Sequence, residues 1–255
     1  MSTPKKDKEK ARDRIFDYPP ISGLNIYHAL YSNIYFLFDY IKSDRRKIYK
    51  EQNTKLSKKV EDCAYLDEKL IEYKYYNRYI DEFSECLYEA IENIYKYYFK
   101  DKESIALVCV PPSKTGTAPQ TEKSIKRIEE WEAEGDKKLN VKIHNYSDLL
   151  KRYKNVPSSK EGDRELYKHK DSIEYNKDKD ISKLNMGIII LDDIATSGNS
   201  MYACRDILIE NGHENKDIIS LAIAKTIDLN TEIGVTDKGT VIMDIPRRVE
   251  RCYNE

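Results

Sequence analysis

Apolar positions follow two different rhythms along this chain. They run unbroken from Ile105 to Val110 and from Ile188 to Leu191, and nearly so from Ile218 to Ala224. Such runs are the mark of strands buried on both faces of a parallel sheet. Elsewhere they recur every three or four residues. Tyr27, Leu30, Tyr31, Ile34, Tyr35, Phe38 and Ile41 make one stripe, and Phe83, Leu87, Ile91, Ile94 and Tyr98 another. Helices are therefore expected from Tyr27 to Ile41 and from about Asp81 to Tyr98. Between them, Val60, Ala64 and Leu70 fit a helix, while Tyr73 to Tyr76 fits an edge strand equally well.

Further on, helix and strand patterns alternate. Glu122 to Glu134 carries Ile125, Ile128 and Trp131 on one edge and is broken by Gly135-Asp136. Val141 to Ile143 reads as a short strand. Met201, Cys204, Ile207 and Leu208 mark a helix that Asn211-Gly212 stops. Thr240 to Asp244 reads as a last edge strand. The expected architecture is an open parallel α/β sheet over residues 101–255, preceded by a mainly helical extension over residues 1–100. Residues 151–180 are polar and without a repeat, as in a long flexible loop.

The stretch from Gly187 to Ser200 concentrates the chemistry. Asp192 and Asp193 end the buried strand, where ligands of open α/β sheets collect. The loop Thr196-Ser197-Gly198-Asn199-Ser200 then opens a helix. A helix N-terminus offers unpaired amides and partial positive charge to a phosphate, and the hydroxyls add donors. Carboxylates repel a phosphate but accept from sugar hydroxyls or bind a metal ion. Together these groups suit a sugar phosphate. A simple Ser/Thr helix cap accounts for the loop but leaves two adjacent acids behind a buried strand unexplained.

Four apolar residues, two acids, two further residues and Thr-Ser-Gly-Asn-Ser span about thirteen positions. The run resembles the 5-phosphoribosyl-pyrophosphate (PRPP) signature of type I phosphoribosyltransferases, and the order of elements extends the likeness over residues 104–244, with ComF-like members most similar. The resemblance implies that Asp192 and Asp193 bind the ribose hydroxyls and a Mg²⁺ ion, and that Ala195, Thr196, Ser197, Gly198, Asn199 and Ser200 wrap the 5′-phosphate. Ser113, Lys114, Thr115 and Gly116 follow the first core strand, where small donors and a lysine can meet an anion. The resemblance makes them the pyrophosphate loop. It turns residues 151–180 into a flap over the reacting centre, with Arg152, Arg164 and His169 as candidates to reach the phosphates, and Arg164 as the catalytic choice because it follows Gly162. It places Lys225 and Thr226 at the acceptor. In 6-oxopurine enzymes of the family a carboxylate stands where this chain has Thr196, a departure that argues against a hypoxanthine or guanine acceptor.

Composition adds boundaries. Net charge is −1, from 44 basic and 45 acidic residues, so no global field points to nucleic acid or an anionic membrane. Cys63, Cys86, Cys109, Cys204 and Cys252 form no paired motif, as expected of reduced thiols in the cytoplasm. No apolar signal core or membrane-length segment is evident. The tyrosines crowded into the first hundred residues fit half-buried helix faces, or a stacking surface for a base or single strand. Expected partners are PRPP, an unidentified base or other nucleophile, and a second copy or partner protein on the N-terminal helices. Relatives that keep the PRPP loop as regulators or DNA-uptake factors leave a binding role without transfer as the alternative.

Overall fold

The computed structural model describes residues 25–28, 33–40, 57–136, 139–156 and 166–226. Among the described residues there are eight strands: β1 (Asn25–His28), β2 (Asn33–Tyr40), β3 (Ser104–Cys109), β4 (Lys142–Asn145), β5 (Leu150–Arg152), β6 (Ile173–Tyr175), β7 (Met186–Ala195) and β8 (Ile218–Thr226). The α-helices are α1 (Ser57–Tyr76), α2 (Ile80–Tyr98), α3 (Glu122–Glu134), α4 (Leu166–Lys170) and α5 (Asn199–Glu210). The main sheet runs β1-β2-β8-β7-β3-β4. Its strands are parallel except β1, which pairs antiparallel with β2.

The unbroken apolar runs are explained by burial on both sides. Ile105, Leu107, Ile189, Leu191, Leu221 and Ile223 point to one face, where α1, α2 and α3 add Tyr73, Phe83, Leu87, Ile91 and Ile125. Ala106, Val108, Ile188, Ile190 and Ala222 point to the other, against Met201, Ala203, Cys204 and Leu208 of α5. Helices thus cover both faces of a mixed α/β sheet. Each fully buried isoleucine or leucine contributes about 1.5–3 kcal/mol relative to exposure, so alternate residues of one strand stabilise two separate cores.

This layering positions the site. The β3–α3–β4 connection leaves over one face and steps outward. The β7–α5–β8 connection leaves over the opposite face and steps the other way. Strand order reverses between β3 and β7, and their carboxyl ends diverge to leave a crevice.

The N-terminal stripe is a correction. Tyr27 to Ile41 does not form a helix: residues 25–28 and 33–40 are β1 and β2. β2 lies parallel to β8, with Ile34 opposite Ser220 and Phe38 opposite Ala224, so it belongs to the same sheet as β3 and β7. Ile34 to Phe38 is apolar at every position, so a helical stripe can be drawn through it although its aromatic and β-branched residues suit a strand. The ambiguous Tyr73 to Tyr76 is the last turn of α1. Residues 151–180 are not without structure, because β5 and β6 pair antiparallel from Leu150–Tyr175 to Arg152–Ile173. Thr240 to Asp244 and Arg164 lie outside the described residues.

Candidate functional site

At the carboxyl ends of β3 and β7 lies a crevice of about 590 Å³. Val110 to Lys114 line one wall and Asp192 to Ser200 the other. Two grooves of similar volume lie over charged helix and edge-strand surfaces. Neither opens at a strand-order reversal.

The Asp192-to-Ser200 wall is built by a loop that needs glycine. Gly198 has φ +83°, a left-handed conformation that a Cβ disfavours. The same position packs on β2: a Cβ there would stand 2.4 Å from Cδ1 of Ile34. The N-cap residue of α5, Gly198, offers no side-chain cap; Ser197 Oγ accepts from the Asn199 amide at 3.5 Å, and the first α-type amide bond is Tyr202 N–H to the Gly198 carbonyl at 3.0 Å. The earlier amides of the first turn lack a helical carbonyl and carry the positive end of the helix dipole. Thr196, Ser197 and Ser200 line the crevice beside them. Ser200 Oγ also meets His169 Nδ1 at 3.2 Å. Burial, and then the charge of Arg152, lowers the His169 pKa, which favours the neutral imidazole.

The carboxylates follow from the end of β7. Asp192 Oδ1 accepts from the Asp193 amide at 2.9 Å, and Asp193 Oδ1 accepts from the Ile194 amide at 2.8 Å. These bonds fix both side chains against their own backbone. Burial, and then the neighbouring Asp193 charge, pushes the Asp192 carboxyl well above the usual range. Two acids held this close at a buried strand end oppose each other until a ligand supplies donors. Lys74 Nζ, from the last turn of α1, donates to Asp193 Oδ2 at 3.2 Å. Burial works against the Lys74 ammonium, but Asp193 outweighs it and raises its pKa.

The opposite wall rests on Arg152. Its guanidinium is buried and donates to the carbonyls of Pro112 at 2.5 Å and Pro111 at 3.2 Å, and to Ser172 Oγ. The following residues tie in as well: the Val156 amide donates to the Ser113 carbonyl at 3.0 Å, and the Thr115 amide to Asn155 Oδ1 at 2.7 Å. The β5 arm is therefore joined to the loop after β3.

The crevice gathers Ser113, Lys114, Arg152, His169, Asp192, Asp193 and residues 195–200. Thr115 and Gly116 are exposed beyond its rim. Lys225 and Thr226 do not line it. Lys225 is only 4% exposed, and its ammonium donates to the carbonyls of Thr196 at 2.6 Å and Thr226 at 2.7 Å. It braces the hydroxyl loop from below. Sequence reasoning missed Lys74, Tyr75 and Gln120, which also line the crevice. The lone sign of them was the lysine set among tyrosines at residues 73–76. Comparison with protein-family models and with curated proteins gives no match. The site is therefore interpreted from its own chemistry.

Proposed function

We propose that this chain binds PRPP and transfers its 5-phosphoribosyl group to a nitrogen nucleophile with release of pyrophosphate, or catalyses the reverse. One observation carries the reading: the N-terminus of α5, with its hydroxyl loop, stands next to two backbone-fixed aspartates at the strand-order reversal. An anion site beside a diol site suits a sugar phosphate. The resemblance of residues 188–200 to the PRPP signature supports it.

In this reading the amides of residues 198–200 and the hydroxyls of Thr196, Ser197 and Ser200 hold the 5′-phosphate. Asp192 and Asp193 accept from the ribose hydroxyls, fix the ring and place negative charge near it. Ser113 and Lys114 take the pyrophosphate, with the buried Arg152 cation behind their loop. The nucleophile's lone pair forms the new bond to the anomeric carbon, and the pyrophosphate oxygen leaves with the bonding pair. Positive charge on the ribose in the transition state is the charge two aspartates stabilise. Fixing both ends of the sugar lowers the entropic cost of alignment.

The donor set was also weighed against Mg²⁺. Among the described residues no group of three or more His, Cys, Asp or Glu could hold a metal. Two hard carboxylates are nonetheless what Mg²⁺ uses when substrate phosphates complete its shell. Asp192 and Asp193 thus fit an ion that arrives with PRPP, and when bound it would neutralise the leaving pyrophosphate.

Calorimetry with PRPP and Mg²⁺, paired with pyrophosphate release across a panel of bases, tests the proposal. Wild type should bind and turn over, and Asp192→Asn and Asp193→Asn should each weaken PRPP at least about tenfold, the scale of a lost charged hydrogen bond. Unchanged affinity in both variants, or no binding by wild type, would overturn it. Tight binding without pyrophosphate release assigns the chain to PRPP sensing instead.

A further inference from the structure

The acid pair at the end of β7 is bonded to a cation that comes from outside the sheet. Lys74 stands in the last turn of α1, and its ammonium donates to Asp193 Oδ2 at 3.2 Å. The fold fixes the backbone it springs from. Its neighbour Tyr73 is fully buried, donates through Oη to the Gln120 carbonyl at 2.9 Å, lies 2.9 Å from Ser124 Oγ and packs edge-on against Phe83. Lys123 Nζ donates to the Lys74 carbonyl at 3.3 Å. The reach of Lys74 towards Asp193 is therefore set by packing between α1, α2 and α3.

The charges around the pair say what this cation is for. Two adjacent carboxylates at a strand end repel each other, and both repel the phosphate that a sugar brings with it. Something positive has to offset this before a diol can be held. The other cations of the crevice stand elsewhere. Arg152 is spent on the Pro111 and Pro112 carbonyls and Ser172, and Lys114 belongs to the loop after β3. Lys225 is turned under the hydroxyl loop to the Thr196 and Thr226 carbonyls. Lys74 is the crevice cation that meets the pair, and it does so where the Asp193 side chain is only 20% exposed. Screening by water is weaker there than on an open surface.

We propose that Lys74 is the resident counter-ion of the acid pair: it supplies the positive charge that lets Asp192 and Asp193 hold a ribose diol without a metal ion. The inference rests on the PRPP-transfer reading. Lys74 acts through Asp193 and is a positioning residue, and α1 is thereby part of the site. A divalent ion drawn to Asp193 Oδ2 must displace the ammonium or stand beside a like charge. The Mg²⁺ that arrives with PRPP is left Asp192 and the pyrophosphate oxygens, one carboxylate plus substrate phosphates, which is a common set for this ion. Sugar binding and metal binding are then separable: the sugar phosphate alone needs the lysine, and the pyrophosphate needs the ion.

Ribose 5-phosphate, which carries no leaving group, allows binding to be tested without turnover. Calorimetry on the full-length protein measures its affinity in EDTA and again in Mg²⁺. Wild type should bind equally, within about twofold, in the two buffers. Lys74→Met keeps the aliphatic stem and removes the charge; in EDTA it should bind about tenfold or more weakly, the scale of one charge-assisted hydrogen bond. Added Mg²⁺ should restore part of that loss, and Lys74→Arg should stay near wild type in EDTA. The two wild-type measurements test the idea even if a variant folds poorly. The counter-ion role is refuted, and the sugar-phosphate reading stands, if wild type binds ribose 5-phosphate only with Mg²⁺ or if Lys74→Met binds normally in EDTA. A loss in Lys74→Met that neither Mg²⁺ nor arginine relieves refutes it as well, because a merely structural lysine behaves that way. If wild type binds no ribose 5-phosphate in either buffer, the underlying reading falls and the counter-ion with it.

Discussion

Gly198 joins the phosphate loop to a strand more than 150 residues earlier, and a double-mutant cycle can measure that join. Gly198→Ala meets two penalties. Its φ of +83° is a left-handed conformation, which costs an alanine about 1–2 kcal/mol. Its new methyl would stand 2.4 Å from Cδ1 of Ile34, a residue with no exposed surface, and forcing an extra group into a packed core costs about 1–3 kcal/mol. The expected loss is about 2–5 kcal/mol, or a melting point lower by roughly 4–20 °C at about 2–4 °C per kcal/mol for a chain of this size. Ile34→Val deletes Cδ1, the atom in the way, and by itself costs about 0.5–1.5 kcal/mol.

In the double variant the deleted atom makes room for the new methyl. The clash with Ile34 falls away, while the backbone penalty and a 3.2 Å approach to Cε2 of Tyr202 remain, so the pair is coupled by about 1–3 kcal/mol in the rescuing direction. Urea denaturation of the four proteins supplies the cycle, provided the slope with denaturant is shared. Ribose 5-phosphate affinity should follow the same pattern, since displacing residue 198 re-aims the first amides of α5. Additivity within about 0.5 kcal/mol would refute the packing of β2 beneath the loop.

Two further variants probe the carboxylate and the brace. The pKa of Asp192 is raised in the folded state, so folding favours its protonated form, and stability falls as pH climbs from the ordinary carboxylate range, about 3.9, through the folded-state value. Asp192→Asn should therefore melt close to wild type at low pH and increasingly above it towards neutrality, while losing ribose 5-phosphate binding; thermal melts from pH 4 to 8 check this, and a pH-independent difference would contradict it. Lys225→Met removes both donors from the Thr196 and Thr226 carbonyls, with an expected cost of about 1–3 kcal/mol from the unpaired acceptors and at least a tenfold loss of ribose 5-phosphate affinity. Wild-type affinity in that variant, measured by calorimetry, would show that the loop holds its shape without the lysine.

What could be read in the sequence was whatever local pattern determines. β3, β7 and β8 are buried on both faces and leave continuous apolar runs. α3 spans Glu122–Glu134 and ends at a left-handed Gly135 with φ +81°. The acid pair and hydroxyl loop are consecutive residues, and so were visible together. β2 was not, because Ile34 to Phe38 satisfies a helical and a strand rhythm at once, and what decides between them is pairing with β8, about 185 residues later in the chain. A periodicity within the segment carries no information about a partner so far away.

The same limit explains the site residues that were missed or given another task. Lys225 sits at the carboxyl end of its strand, as expected, but whether a lysine there reaches a ligand or a backbone carbonyl depends on how the Thr196 loop folds above it. Arg152 was visible as a cation in a polar stretch, yet its work is to hold the Pro111 and Pro112 carbonyls. Lys74 belongs to a helix on one face of the sheet, and its partner Asp193 ends a central strand. No spacing rule connects them. The wall from Asp192 to Ser200 comes from one continuous segment, whereas the rest of the crevice is assembled from α1, the loop after β3 and the entry to α3. The groups proposed to hold the sugar phosphate are therefore local in sequence, and the remaining lining depends on tertiary structure.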